Sequence, residues 1–189
     1  MTAQKFVDSR AAAIYDTWGS QMRAHIRFFV GENTTTSTRR DLPLVRMRGV
    51  DDRYPPQKKS FLMLKYMYEN LINDYEWFMR ADDDLYVKPN KIKAFLRSLN
   101  SSERLYIGQA GLGIAKEFGM LGFAEGDNFC MGGTGMIFSR ETLKRFAPHV
   151  AECLRNLYTT HEDVEVGRCV RKFAQVACTW NYEVRSTRL

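Results

Sequence analysis

The sequence predicts an α/β domain in which helices pack on the faces of a central sheet. Segments typical of strands and of helices alternate along the chain of 189 residues, and this alternation is characteristic of the α/β class. The chain has the length of one domain, and no internal repeat or low-complexity linker divides it. Hydrophobic residues make up 44% of the chain, which is sufficient for a packed core and argues against disorder.

The first half of the chain contains two helices and three strands in this alternation. Ser9 is a residue type that caps helices, and Pro56 is favoured in the first turn of one. After Pro56, Phe61 and Leu64 begin an apolar series at helical spacing. The threonine-rich stretch 31–41 predicts a surface loop. The predicted elements are helices at about 9–18 and 56–73, and strands at 26–30, 42–47 and 75–80.

The second half continues the pattern. Its first helix is amphipathic, because Ile92, Phe95, Leu96 and Leu99 have the i, i+3, i+4, i+7 spacing of one helical face. The further predicted elements are strands at 105–108, 133–139 and 176–180, and helices at about 140–147 and 162–173. In sheets of this class, ligands bind at the carboxyl ends of strands.

The charge and hydropathy patterns argue against two classes of protein. The 28 Lys and Arg exceed the 22 Asp and Glu by 28 − 22 = 6, but the basic residues are scattered, which is not typical of a nucleic-acid-binding stripe. Apolar runs such as 61–64 and 135–138 are much shorter than the roughly 20 residues of a membrane span. Charged residues near the start also break any signal-peptide pattern. We therefore expect a soluble piece.

Three consecutive carboxylates, Asp82, Asp83 and Asp84, follow the apolar strand 75–80. Clustered carboxylates are unfavourable without a positive charge nearby, and a divalent cation with a diphosphate supplies one. The alternative is a solvated acidic turn before the next helix. An EF-hand is rejected because Val87 and Lys93 stand where Gly and Glu are required. The phosphate-binding P-loop pattern is also missing from the sequence.

A second acidic cluster, Glu162 and Asp163, stands at a predicted helix start. A zinc-protease motif would need a histidine four residues after His161, where the chain has Glu165. Carboxylates are common in a first helical turn because they complement the helix dipole. The functional alternative is a general base that takes a proton from an incoming hydroxyl.

Glycines 132, 133 and 135 lie at the entry to the predicted strand 133–139. Glycine at such a place indicates close approach of the backbone to a neighbour, which is either a ligand or a packed helix. The spacing differs from the Gly-x-Gly-x-x-Gly pattern, so a Rossmann dinucleotide site is not supported.

Four cysteines occur without a C-x-x-C pair, namely Cys130, Cys153, Cys169 and Cys178. They permit three disulfide connectivities, and the residues alone do not choose among them. Glycosylation sequons begin at Asn33 and Asn100. Together these features favour the secretory pathway, with any signal or membrane anchor outside this chain.

The order of these motifs resembles the β1,3-glycosyltransferases of family 31, which include the fringe and core 1 galactosyltransferase types. The N-terminal catalytic half of the chondroitin sulfate synthases is most similar, and the resemblance covers nearly the whole chain. The stretches that carry it are 9–18, 49–60, 77–87, 95–102, 132–135 and 158–171.

The resemblance implies a GT-A-type nucleotide-sugar-binding fold with a mixed, mostly parallel sheet, truncated at both ends, and a Golgi lumen location. It implies Mn²⁺-dependent, inverting transfer of glucuronic acid from UDP-glucuronate to the 3-hydroxyl of a terminal N-acetylgalactosamine. The acceptor would be a chondroitin oligosaccharide or proteoglycan, and the partner would be another synthase subunit. The alternatives are a family 31 galactosyl- or N-acetylglucosaminyltransferase and a non-catalytic polymerising subunit.

The resemblance also implies roles for particular residues. Asp82 and Asp84 would hold the metal. Asp82 and Asp83 would also bind the UDP-sugar donor, and Asp163 would be the catalytic base. A metal-binding histidine of the family lies beyond Leu189, and none of this chain's histidines matches it. Further donor-binding or cleft positions are Arg10, Lys59, Gly132 and Gly133.

A cysteine upstream of the Glu-Asp-Val motif is paired with the later Gly-Arg-Cys cysteine in this family. The resemblance therefore implies a Cys153–Cys169 disulfide, which leaves Cys130 and Cys178 as the remaining pair.

Overall fold

The computed structural model describes residues 1–36, 38–112 and 126–181, and in them helices alternate with strands as the sequence predicts. The α-helices are α1 (Ala12–Asp16), α2 (Gln57–Leu71), α3 (Pro89–Arg97), α4 (Arg140–Phe146), α5 (Val150–Arg155) and α6 (Glu162–Ala174). The strands are β1 (Phe28–Gly31), β2 (Leu44–Met47), β3 (Trp77–Arg80), β4 (Tyr106–Gly108), β5 (Ala110–Gly111), β6 (Phe129–Cys130), β7 (Met136–Ser139) and β8 (Thr179–Trp180). The predicted α/β class is confirmed.

The main sheet has the strand order β3-β7-β4-β8. Strand β7 is antiparallel to β3 and β4, whereas β4 is parallel to β8. Two further pairs lie apart from it, the parallel pair β1–β2 and the antiparallel pair β5–β6. The expectation of a mixed sheet is confirmed. The expectation of a mostly parallel sheet is not confirmed: β3, β4 and β8 share one direction, but β7 lies between β3 and β4 and runs against both, so both pairs that it forms are antiparallel.

The main core lies between this sheet and helices α2, α4 and α6. Phe61 and Leu64 of α2 pack with Phe78 of β3 and Phe138 of β7, and each is at most 4% exposed. Phe61 and Leu64 belong to the apolar series that predicts this helix. Burial of such side chains is worth about 1.5–3 kcal/mol each.

Several predicted boundaries shift. Ser9 lies within a π-helical turn (Val7–Ala11) that leads into α1, and its hydroxyl contacts the Phe6 carbonyl at 3.5 Å rather than capping the helix. The strand predicted from residue 133 begins at Met136, because residues 132–134 form a 3₁₀ turn. Helix α5 is not predicted from the sequence, and the closing strand covers only Thr179–Trp180. Ser37 of the predicted loop 31–41 lies outside the described residues.

Two disulfides connect the C-terminal part. Cys153 of α5 is bonded to Cys169 of α6, and Cys130 of β6 is bonded to Cys178 just before β8. The pairing that the family resemblance implies is therefore confirmed. Both sequon asparagines, Asn33 and Asn100, are exposed. Among the described helices, none combines the length and apolarity needed to cross a bilayer.

Candidate functional site

Arg80, the last residue of β3, lies at the centre of the candidate site. Side chains alternate between the two faces of a strand, so Arg80 points inward with Phe78, and only 2% of its side chain is exposed. Its Nη1 donates to Oδ2 of Asp82 at 2.9 Å and to the Gly132 carbonyl at 3.0 Å. Its Nη2 donates to Oε2 of Glu162 at 2.7 Å. One guanidinium thus joins the acidic run, the glycine turn and the start of α6.

The Arg80–Glu162 pair is buried, which affects both pKa values. Burial raises the pKa of Glu162 above its usual range, although Arg80 and the Ser60 hydroxyl, which donates to Oε1, oppose this shift. Burial acts against the charged form of Arg80, yet Glu162 and Asp82 more than offset it and raise the Arg80 pKa. The charge of Arg80 is therefore retained and shared between two carboxylates.

Asp163 stands beside this pair, in the first turn of α6. Its Oδ2 accepts from the Gly132 N–H at 3.0 Å, and its Oδ1 accepts from the Val164 N–H at 3.0 Å. The side chain is partly exposed, whereas Glu162 is buried. Asp163 is thus oriented by the backbone and partly exposed, so an incoming hydroxyl can come within hydrogen-bond reach of it, which general base catalysis requires.

A second buried carboxylate orders the loop before α6. Glu165 accepts from the backbone N–H groups of Tyr158 and Thr159 at 3.1 and 2.8 Å, and Arg168 donates to its other oxygen. The Arg168 guanidinium also lies 4.1 Å from the centre of the Tyr158 ring. These contacts fix the loop through which the chain enters the turn that carries Asp163.

The remaining carboxylates of the acidic run have different surroundings. Oδ2 of Asp83 accepts from the Thr2 hydroxyl at 2.6 Å, and its Oδ1 accepts from Arg10 at 3.1 Å. Asp84 is 64% exposed and lies 4.0 Å from the same guanidinium. Arg10 is itself 44% exposed. The structure therefore brings the predicted residues Arg10, Asp83 and Asp84 together at a surface on which Arg10 and Asp84 are exposed, whereas only 9% of the Asp83 side chain is.

Lys59, by contrast, lies beneath this surface. It is 5% exposed on α2, where it pairs with Asp52 and donates to the Thr2 carbonyl at 2.9 Å. Burial opposes ionisation of Asp52, but bonds from Lys59 and from the Gln4 and Gly31 N–H groups lower its pKa. Thr2 thus links Lys59 to Asp83, and Lys59 supports the acidic run from below.

The two predicted cleft glycines differ in their surroundings. A Cβ atom on Gly132 would lie 3.2 Å from Nη1 of Arg80 and 3.4 Å from Oε2 of Glu162, whereas one on Gly133 would meet nothing within 4 Å. Gly135 has φ +85°, a conformation that favours glycine. The close approach at Gly132 is therefore to protein side chains, and Gly133 faces open space.

The carboxylates Asp82 and Asp84 suit a metal ion that is also coordinated by a bound diphosphate better than a metal ion held by protein ligands alone. Among the described residues, no group of three or more His, Cys, Asp or Glu side chains is placed to hold an ion. Mg²⁺ and similar hard cations are commonly held by one or two carboxylates together with substrate phosphates. Arg80 contacts only Oδ2 of Asp82, and Asp84 is exposed. These two side chains therefore fit a metal that arrives with a diphosphate.

An apolar cavity of about 210 Å³ is lined by residues of β1 and β3, together with Asp82 and Asp83. Its walls include Phe28, Trp77 and Met79. Phosphate groups need charged or N–H partners, so we do not place the diphosphate in this cavity.

Sequence reasoning finds the acidic clusters but assigns no role to Arg80 or Ser60. The available signal is the charged residue that ends the apolar run of β3, because charged residues are almost never fully buried unless they are paired. Two of the partners of Arg80, Gly132 and Glu162, lie far along the chain, so these contacts are evident only in the folded structure.

The fold and the site together define an α/β protein with an acidic, arginine-centred site at the carboxyl end of a strand. The chain belongs to the Fringe-like family, whose sequence pattern matches residues 1–188.

The relatives agree with this assignment. The chain is 55% identical over 189 residues to chondroitin sulfate synthase 3 of Mus musculus, and 56% identical over 187 residues to that of Homo sapiens. Each match covers 98% of this chain and 21% of the relative, so the chain spans about a fifth of their length. It is also 30% identical over 130 residues to human chondroitin sulfate glucuronyltransferase, covering 67% of this chain and 16% of that protein. The resemblance to chondroitin sulfate synthases is confirmed.

Proposed function

We propose that the chain is a GT-A-type catalytic domain that transfers glucuronic acid from UDP-glucuronate to the 3-hydroxyl of a terminal N-acetylgalactosamine, in chondroitin chain elongation. One observation supports this above all. Asp82 and Asp163, from distant parts of the sequence, meet at the unit formed by Arg80 and Gly132. A donor-side carboxylate and the base carboxylate are then held by the same unit.

On the donor side, Asp82 and Asp84 would hold Mn²⁺. When bound, this ion offsets the charge that develops on the UDP leaving group. Arg10 would donate to a diphosphate oxygen, because its guanidinium is exposed and contacts Asp83. Asp83 would keep Arg10 in place and would not itself bind the metal directly. Lys59 would act through Thr2 and not by contact with the nucleotide.

On the acceptor side, Asp163 would take the proton of the 3-hydroxyl as that oxygen attacks the anomeric carbon. The new bond forms on the face opposite the UDP, the bond to the β-phosphate oxygen breaks, and the anomeric configuration changes from α to β. The backbone N–H groups of Gly132 and Val164 each donate to one oxygen of this carboxylate and so fix its orientation. Holding both substrates in line removes much of the entropic barrier.

The donor assignment is tested by comparing UDP-sugars directly. Glucuronate is favoured by the relationship to human chondroitin sulfate glucuronyltransferase. Galactose is the competing donor, because a Xenopus laevis relative, glycoprotein-N-acetylgalactosamine 3-beta-galactosyltransferase 1, is 23% identical over 94% of this chain. The full natural protein should be offered UDP-glucuronate, UDP-galactose and UDP-N-acetylglucosamine with an oligosaccharide ending in N-acetylgalactosamine. We expect transfer from UDP-glucuronate; transfer from another donor alone would overturn the assignment.

We also propose that the protein works in the Golgi lumen, attached to the membrane by an anchor outside this chain, and with a second chondroitin synthase subunit as partner. The two disulfides and the two exposed sequon asparagines support a secretory compartment. A non-catalytic supporting role is less well supported, because such a subunit would not need the oriented Asp163 carboxylate.

A further inference from the structure

The proposed mechanism gives no task to Arg80 and Glu162, although they form a buried ion pair at its centre. Desolvation of such charges is costly, and Arg80 is 1% exposed as a residue. A buried ion pair is also weak support for stability, since apolar residues of similar size often serve equally well. The Nε atom of Arg80 is buried with no hydrogen-bond partner. Stability alone therefore explains this arginine poorly.

The contacts that Arg80 does make all lead to the proposed reacting groups. Nη1 holds the donor-side carboxylate Asp82 and the carbonyl of Gly132. The N–H of the same glycine holds the Asp163 carboxylate. Nη2 holds Glu162, the immediate chain neighbour of Asp163 in the first turn of α6. Arg80 thus reaches Asp163 by two routes and Asp82 directly.

We propose that Arg80 is a positioning residue that sets the donor-side carboxylate Asp82 and the base Asp163 relative to each other. This inference rests on the proposed function. The planar, forked guanidinium can serve several acceptors at fixed angles, whereas an ammonium group is a point charge on a flexible stem. A lysine in this place would keep the charge but would not hold three segments of the chain in register.

Glu162 has a supporting task in this arrangement. Arg80 competes with a bound cation for Asp82, because its guanidinium and a metal would both attract the same carboxylate. Glu162 provides a second negative charge, and the Ser60 hydroxyl orients it. Removing this charge would draw Arg80 more strongly towards Asp82. Glu162→Gln should then weaken Mn²⁺ binding although Glu162 is not proposed as a ligand.

The test compares Arg80→Lys and Arg80→Met with wild type in the full natural protein. Arg145→Lys is the matched control, since Arg145 pairs with Glu141 on the surface of α4. Initial rates of glucuronosyl transfer give kcat and the acceptor KM, and thermal melting reports folding. We expect Arg80→Lys to lower kcat about 10- to 100-fold, the usual effect of losing a supporting partner, with the acceptor KM changed less than about threefold and Arg80→Met slower still. Arg145→Lys should match wild type.

Val150→Ala, a core variant distant from these contacts, controls for a purely structural effect. If Arg80→Lys lost activity only in step with its folded fraction, as Val150→Ala would, the inference would be wrong. A folded Arg80→Lys protein with wild-type kcat would also overturn it. If both Arg80 variants fail to fold, Glu162→Gln decides the question: weaker Mn²⁺ binding by electron paramagnetic resonance supports the inference, and unchanged binding contradicts it. An inactive wild type would instead overturn the proposed function, and the inference with it.

Discussion

The backbone N–H of Gly132 donates to Oδ2 of Asp163 over 3.0 Å, and this bond joins the glycine turn to the first turn of α6. Gly132 is also the residue whose carbonyl accepts from Arg80. A single glycine therefore accepts a hydrogen bond from Arg80 at its carbonyl and orients the proposed base, Asp163, through its N–H.

The two neighbouring glycines offer a matched pair of variants. Gly132→Ala places a methyl group 3.2 Å from Nη1 of Arg80, whereas Gly133→Ala meets nothing within 4 Å. Overpacking of this kind costs about 1–3 kcal/mol, and here it would displace the Asp163 contact. We expect kcat for Gly132→Ala to fall at least tenfold, on the scale of roughly 100-fold for a 1 Å misplacement, together with a lower melting temperature. Gly133→Ala should keep the wild-type melting temperature, because its methyl group meets no protein atom. Wild-type kcat and melting temperature in Gly132→Ala would contradict this account.

Binding of the donor together with Mn²⁺ should require Asp84, the exposed last residue of the acidic run. We expect calorimetric titration with UDP-glucuronate to show binding only when Mn²⁺ is present. Asp84→Asn removes one proposed ligand and should weaken this binding at least about tenfold, since even outer partners of metal ligands cause losses of that size. Asp74→Asn, in the exposed turn after α2, is the control. Mn²⁺-independent binding by wild type, or full affinity in Asp84→Asn, would argue against a metal at Asp84.

The two disulfides should contribute unequally to stability. They enclose chain segments of 16 and 48 residues, for which the chain-entropy relation gives about 3 and about 4 kcal/mol respectively. Cys130→Ser with Cys178→Ser should therefore lower the free energy of unfolding more than Cys153→Ser with Cys169→Ser. It should also impair activity, because Cys130 lies just before the glycine turn. Urea denaturation of the two double variants measures the difference, and the reverse order would refute the prediction.

The Asp52–Lys59 pair predicts a pH dependence of stability. The folded-state pKa of Asp52 is lowered, so its stabilising contribution is present above the ordinary aspartate pKa of about 3.9 and disappears as the pH falls through the folded value. Asp52→Asn should be less stable than wild type near neutral pH, and the difference should shrink below about pH 4. Urea unfolding at several pH values tests this, with Asp74→Asn as the reference. A difference that grows on acidification would show that the sign is wrong.

The sequence identifies the charged groups of this candidate site better than their arrangement. The acidic run and the Glu162–Asp163 cluster are recognisable because each follows or opens a regular element. The central position of Arg80 is not recognisable from the sequence, because its partners Gly132 and Glu162 become its neighbours only through tertiary folding.

Several local details of the fold cannot be predicted from the sequence for similar reasons. The turn at 132–134 depends on the positive φ of Gly135, which sequence spacing alone does not distinguish from a strand entry. The antiparallel placement of β7 between β3 and β4 depends on long-range pairing. Helix α5 has only six residues and therefore shows little periodicity.

Glucuronosyl transfer by the full natural protein, wild type against Asp163→Asn, tests the central claim most directly. The assay uses UDP-glucuronate, Mn²⁺ and a chondroitin oligosaccharide ending in N-acetylgalactosamine, with UDP binding measured on the same samples. If Asp163 is the base, the substitution should lower kcat by about 10²- to 10⁴-fold, the usual contribution of general base catalysis, and leave UDP binding intact. Transfer at the wild-type rate by the Asp163→Asn enzyme would contradict the account.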